Sequence, residues 1–169
     1  MPLDRLLADE QIWREVPDPE RGDDARRVVI GHWTDARTEE RKLVAPVFEG
    51  HYTVSILLGT ATVDCYKDEC LRGKGTGGIG GIQLTAPGER VLCGFRGPNE
   101  AVHLFFPQAV VESEYESVRQ HDAPLRLEDP AFRVDPALGP LARSLARPPG
   151  VGTGSDALYG DSLVYAILA

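Results

Sequence analysis

The chain has 169 residues, 42% of them hydrophobic and 26% charged, with a net charge of −8 at pH 7. That length suits one domain with a substantial core. The acidic balance, 18 basic against 26 acidic side chains, opposes binding of DNA or an anionic membrane by this stretch alone, because phosphate affinity rests on clustered Lys and Arg.

The opening Met1-Pro2-Leu3-Asp4-Arg5 lacks the basic start, apolar centre and small-residue cleavage site of a signal peptide. No apolar run approaches the roughly 20 residues that span a bilayer. Cys65, Cys70 and Cys93 are an odd set without paired spacing, so neither a disulfide framework nor a zinc site is expected. Free thiols in a reducing cytoplasm fit that usage.

Residues 1–26 read as a polar, irregular segment with a short amphipathic start (Leu3, Leu6, Leu7) and a turn-rich Pro17-Asp18-Pro19. From Arg27 the character changes. The runs RRVVIGHW, RKLVAPVF, HYTVSILL, TATVDCY, GIQLTAP, RVLCGF and AVHLFF are short and rich in β-branched and aromatic residues. Gly, Pro, Asn and Asp separate them, which predicts an all-β sandwich or barrel over 27–106. Within 51–58, Tyr52, Val54, Ile56 and Leu58 share one face, and His51, Thr53 and Ser55 the other.

After these runs the period lengthens. Pro107 suits a first helical position, and Val110, Val111, Tyr115 and Val118 recur at helical intervals over 107–120. Leu138, Leu141 and Leu145 predict a short helix starting near Pro140, and Ser155 is a candidate N-cap for a last helix. Residues 107–169 are therefore expected to be a helical extension, and the fold class mainly β with helices last. From Leu163 to Ala169 every residue is apolar, so the last turns should be buried on several sides.

Gly73, Gly75 and Gly78 fit G-x-G-x-x-G, but no strand-to-helix step follows them. A flexible or bulged hairpin loop is the expectation there. His32, His51, His103 and His121 are scattered, and the second position after His51 is Thr53, so the histidine pair of a metal-binding cupin is absent and no metal is expected. Glu112, Glu114 and Glu116 read as a solvated helix face. Ser55, Ser113 and Ser117 lack a nucleophile-elbow context, and Cys65 sits in a strand as a small packed residue, so no catalytic residue is assigned. A small β barrel can hold one small ligand. Thr53, Ser55 and His103 are the candidate polar groups of such a pocket, with Tyr66 and Phe105 as aromatic lining.

In order, HYTVSILLGTATV, IQLTAPGERVLCGF, AVHLFFPQAVVESEY, DPALGPLARSLA and DALYGDSLVYAILA carry a family resemblance. The chain resembles the N-terminal sensor domain of AraC-type bacterial transcription regulators, in the subgroup with a cupin-like barrel. The resemblance covers roughly residues 27 to 169 and implies a cupin-like double-stranded β-helix, or jelly-roll barrel, with a helical extension. It implies a small-molecule effector held without metal or other cofactor, a homodimer, and contact with DNA and RNA polymerase only through two helix-turn-helix units beyond Ala169. On that reading the last helix is severed at the junction, and the acidic balance reflects a missing basic half.

Dimer or interdomain contacts are expected from Val111, Tyr115, Val118, Tyr159, Leu163 and Ile167, whose plainer role is packing on the barrel. The expected protein is a cytoplasmic regulatory domain with no membrane partner and no enzyme activity. The rival readings are a stand-alone cupin-fold enzyme, of isomerase or dioxygenase type, and a β domain used only for dimerisation.

Overall fold

The computed structural model describes residues 5–15, 26–118, 125, 127–146 and 155–168; side chains at 5, 6, 118, 155–160 and 168 lie outside that description. In chain order the elements are β1 (Arg5–Glu10), β2 (Val28–Asp35), β3 (Arg41–Val44), β4 (His51–Leu57), β5 (Ala61–Lys67), β6 (Cys70–Gly77), β7 (Gly81–Thr85), β8 (Val91–Arg96), β9 (Asn99–Pro107), α1 (Gln108–Val118), β10 (Arg133–Val134), α2 (Leu138–Leu145) and α3 (Ser155–Leu168). The chain is mainly β with helices towards its C-terminal end. No helix among the described residues is long and apolar enough to cross a membrane.

The strands form two sheets. The larger runs β1-β2-β9-β4-β7-β10 and the smaller β3-β8-β5-β6. No hydrogen-bonded seam joins them among the described residues, so the expected barrel is, at this level, a pair of facing sheets. The alternation in β4 decides which side chain goes where. Val54 and Ile56, with Leu104 and Phe106 of β9, belong to a cluster that also takes in Val111, Ala142, Leu145, Leu163 and Val164 from the three helices. On the opposite face, Trp33 of β2 packs with Val63, Cys65, Val91, Cys93 and Phe95 of the smaller sheet and with Trp13. Each face of the larger sheet thus has its own core.

Three sequence expectations are corrected. Residues 5–10 are not irregular: they form a strand parallel to β2, with Arg5 opposite Val28 and Glu10 opposite Trp33. The first glycines of GKGTGG are not a loop. Gly73, Gly75 and Gly77 lie within β6, paired with β5 through a register shift at Cys65/Tyr66. The physical reason is close approach. A Cβ at Gly77 would lie 2.6 Å from Leu57 Cδ1, and one at Gly73 would lie 3.2 Å from the Phe132 ring. Finally, Pro107 closes β9 instead of opening α1, whereas α2 begins at Leu138, near Pro140 as expected. Proline in a first turn forfeits no intrahelical bond, so it does not set the boundary.

Two ion-pair groups hold the edges. Asp35 accepts from Arg37 Nη2 at 2.8 Å and from Arg41 Nε at 2.6 Å, which holds its carboxyl down at about 2. Arg41 in turn reaches Gly97 O at 3.0 Å. At the other edge, buried Lys67 of the smaller sheet pairs with Glu89 and Asp129, both at 2.9 Å. Asp129 also accepts the Leu84 N–H of β7 at 3.0 Å, so this group ties the two sheets together.

Candidate functional site

The face of the larger sheet that meets the smaller one carries polar groups where a purely structural core would be apolar. Register fixes their arrangement. Gly31, His103, Ser55 and Gln83 stand side by side across β2, β9, β4 and β7. The next inward row is Val29, Phe105, Thr53 and Thr85. Thr53, Ser55, Gln83, Thr85 and His103 are all buried.

These groups are partnered by a segment far away in sequence. β1 ends at Glu10, and the chain then makes a tight turn in which the Glu15 N–H donates to Ile12 O at 3.0 Å. Arg14 takes a left-handed backbone conformation, φ 57°, within that turn. For a residue with a Cβ this costs on the order of 1 kcal/mol, and such conformations persist only where surrounding contacts enforce them. Here they do. The Trp13 and Arg14 side chains both enter the interior and are 4% and 2% exposed.

The Arg14 guanidinium donates from Nη1 to Thr85 Oγ1 at 2.9 Å and from Nη2 to Ser55 Oγ at 2.5 Å and to Gln83 Oε1. All three acceptors are neutral, and the buried Nε has no hydrogen-bond partner among the described residues. Burial lowers the Arg14 pKa. The guanidinium nevertheless remains a cation, since Arg does not deprotonate in proteins. A buried cation satisfied mainly by dipoles is costly, and removing it need not destabilise a fold.

Glu10 completes the constellation. Its Oε2 accepts the Arg14 backbone N–H at 2.6 Å, and its Oε1 lies 2.7 Å from His103 Nδ1. Gly31 makes room for this carboxylate, because a Cβ there would sit 2.0 Å from Glu10 Oε1. Burial pushes the His103 pKa down against the opposing pull of Glu10. Neutral His103 therefore donates its Nδ1 hydrogen to the Glu10 carboxylate, a pairing that fixes the ring's tautomer. Trp13 packs edge-on against His103 and Phe95, with ring centroids 6.3 and 5.6 Å apart. The Arg14 guanidinium lies 4.7 Å over the Trp13 ring, within cation–π range.

Of the residues expected to form a pocket, Ser55 and His103 are in direct contact with the N-terminal turn, while Thr53 and Phe105 occupy the adjacent row. Tyr66 does not join them. It alternates with inward-facing Cys65 and Lys67 and so stands on the outer face of β5. Among the expected dimer residues, Val111 and Leu163 are buried in the cluster beneath the helices, and Ile167 packs on it. Tyr115 is half-buried on α1. The side chains of Val118 and Tyr159 lie outside the described residues.

Sequence reading missed Glu10, Trp13, Arg14, Gln83 and Thr85. One signal was present: Gly31 interrupts the run RRVVIGHW, and an isolated glycine within a strand marks close approach of another group. No group of three or more His, Cys, Asp or Glu side chains among the described residues could hold a metal ion. In chemical terms the arrangement offers an oriented neutral imidazole, a carboxylate, a cation and a fan of hydroxyl and amide groups. In comparisons with known proteins, the chain matches no family model and no curated sequence.

Proposed function

We propose that this chain is the effector-sensing regulatory domain of an AraC-type transcription factor, with a cupin-like jelly-roll fold. The observation that carries the reading is the polar interior held closed by the N-terminal turn: Arg14 on Ser55, Gln83 and Thr85, and Glu10 on His103. The strand order supports the fold assignment. β2, β9, β4 and β7 lie in one sheet and β3, β8, β5 and β6 in the other, so that the eight strands alternate between sheets in pairs as in a jelly roll.

In this reading the turn is an internal occupant of the effector site. An effector that takes over the Ser55, Gln83 and Thr85 contacts favours a state in which residues 10–15 are repositioned. It shifts the equilibrium by no more than its differential affinity for the two states. The helices packed on the opposite face of the same strands carry that shift towards an attached helix-turn-helix half, which supplies the contacts with DNA and RNA polymerase.

The test is to read the coding sequence past the codon for Ala169. Two basic helix-turn-helix units in frame are the expected result. A stop codon directly after Ala169 would remove DNA control from this chain and overturn the proposal.

A further inference from the structure

We propose that Cys65 and Cys93 form an oxidisable dithiol, a peroxide-modification site at which the two thiols close into a cross-strand disulfide between β5 and β8. The inference does not depend on the regulatory reading and would stand if the chain controlled no gene. Cys65 and Cys93 are register partners on adjacent antiparallel strands. Directly opposed residues in such a pair have Cα atoms about 4.5–5.5 Å apart, inside the roughly 4.4–6.8 Å that a disulfide spans. Both side chains face the sheet interior and each is 1% exposed. Cys70, by contrast, is exposed at the start of β6 and is paired with Lys67.

The surroundings make the two thiols unequal. The Cys93 thiol donates to the Cys65 sulfur, and the Arg14 and Lys67 cations add to this, so Cys65 is lowered in pKa against the cost of its burial. Cys93, which holds the shared proton, is raised well above the ordinary thiol value. The two cations differ in how far they are neutralised. Lys67 is compensated by Glu89 and Asp129, whereas the Arg14 side chain bonds to neutral oxygens. Arg14 is therefore the less compensated charge beside the sulfurs. A lowered thiol next to a cation, with a second thiol in reach, supplies an attacking and a resolving cysteine once an opening of the buried pair admits the oxidant.

The chemistry balances with a hydroperoxide as oxidant. The Cys65 thiolate attacks the peroxide O–O bond, and the departing hydroxide takes a proton to leave as water, giving the Cys65 sulfenic acid. The Cys93 sulfur then attacks the Cys65 sulfur; the S–O bond breaks, the Cys93 proton leaves with that oxygen, and a second water is released. Overall, two thiols and one hydrogen peroxide give one disulfide and two waters. A small dithiol reductant reverses the change. Trp13 of the N-terminal turn packs in the same cluster as both cysteines.

The experiment exposes the folded chain to hydrogen peroxide, alkylates remaining thiols after denaturation, and maps peptides without reduction. A linked Cys65–Cys93 peptide with alkylated Cys70 is the expected result. In Cys93→Ala, Cys65 should stop at the sulfenic acid and be captured by dimedone. In Arg14→Gln, oxidation of Cys65 should slow roughly three- to tenfold, since less of it is thiolate. If Cys65 and Cys93 are recovered alkylated while Cys70 alone is oxidised, or if they link only in the denatured chain, the proposal fails. The wild-type map decides this even if a variant does not fold.

Discussion

The two faces of the larger sheet are built from the same strands and have opposite chemistry. Towards the helices, β4 and β9 present Val54, Ile56, Val102, Leu104 and Phe106, an apolar surface covered by Val111, Leu145, Leu163 and Val164. Towards the smaller sheet, the alternate positions present Thr53, Ser55 and His103, covered by Glu10 and Arg14. The first face gains stability from area removed from water, and almost any well-packed hydrocarbon serves it. The second depends on each buried polar group finding its partner, and leaving one unmade costs more than making it gains. Stability therefore resides mainly on one face and specificity on the other.

The comparison can be broken most easily from the apolar side. Phe106 is fully buried, and Phe106→Ala should cost about 3–5 kcal/mol, read as a lower midpoint in denaturant unfolding. A cost below about 1 kcal/mol would mean that the helical face is not the stabilising one. Next in size is Gly31→Ala, whose methyl would meet Glu10 Oε1 at 2.0 Å. It should destabilise by about 1–3 kcal/mol and expel Glu10. The readout is faster proteolysis within residues 1–15 and a red-shifted Trp13 emission, with the helices unchanged by circular dichroism.

The third prediction concerns pH. Burial lowers the pKa of His103 below its ordinary 6.5. Below pH 6.5 the unfolded chain takes up a proton that the folded chain excludes, so the unfolded state is favoured as pH falls. Stability is thus fully present above that value and is lost below it, at up to ~1.4 kcal/mol per pH unit for one proton. His103→Gln, which can still donate to the facing Glu10 carboxylate, should flatten the slope. Equal slopes in wild type and His103→Gln would place the titrating group elsewhere.

The smallest effect is expected from Arg14→Met. Gln83 Nε2 already donates to Thr85 Oγ1 at 2.9 Å, and Ser55 Oγ lies 3.5 Å from Gln83 Oε1, so these groups can satisfy one another once the guanidinium is gone. The buried charge disappears with it, and the net change should stay within about 1 kcal/mol. A loss above about 3 kcal/mol would make Arg14 a structural clamp, and the interior would no longer resemble an occupied binding site.

The same contrast explains what could be read from the sequence. The apolar face was legible because its rule is local: Tyr52, Val54 and Ile56 alternate, and Leu138, Leu141 and Leu145 recur at helical spacing. Ser55 and His103 were recognisable as polar residues on predicted strands, and His103 indeed lies beside Ser55. Their partners were not recognisable. Glu10 bonds to a residue 93 positions away and Arg14 to residues 41 and 71 positions away. A charged residue in a polar segment gives no local sign that it is buried, because only the distant acceptors make that burial tolerable. The glycines of β6 misled for a related reason. Gly73 and Gly77 answer to the approach of Phe132 and Leu57, and Gly75 to a positive φ, which no period within 73–77 records.

The place of β9 in the larger sheet has a consequence for how the chain is made. β9 lies between β2 and β4, yet it is the last of these strands to be synthesised. Until residues 99–107 leave the ribosome, β2 and β4 each present an open edge towards a neighbour that does not yet exist, and such edges are where nascent chains associate wrongly. The insertion of one strand then joins both halves of the sheet, brings His103 to Glu10, and supplies Leu104 and Phe106 to the helices that follow. A ribosome-bound chain halted before Asn99 should remain protease-sensitive along its whole length, and resistance should appear only once β9 and the helices that cover its apolar face, through Leu168, have been released.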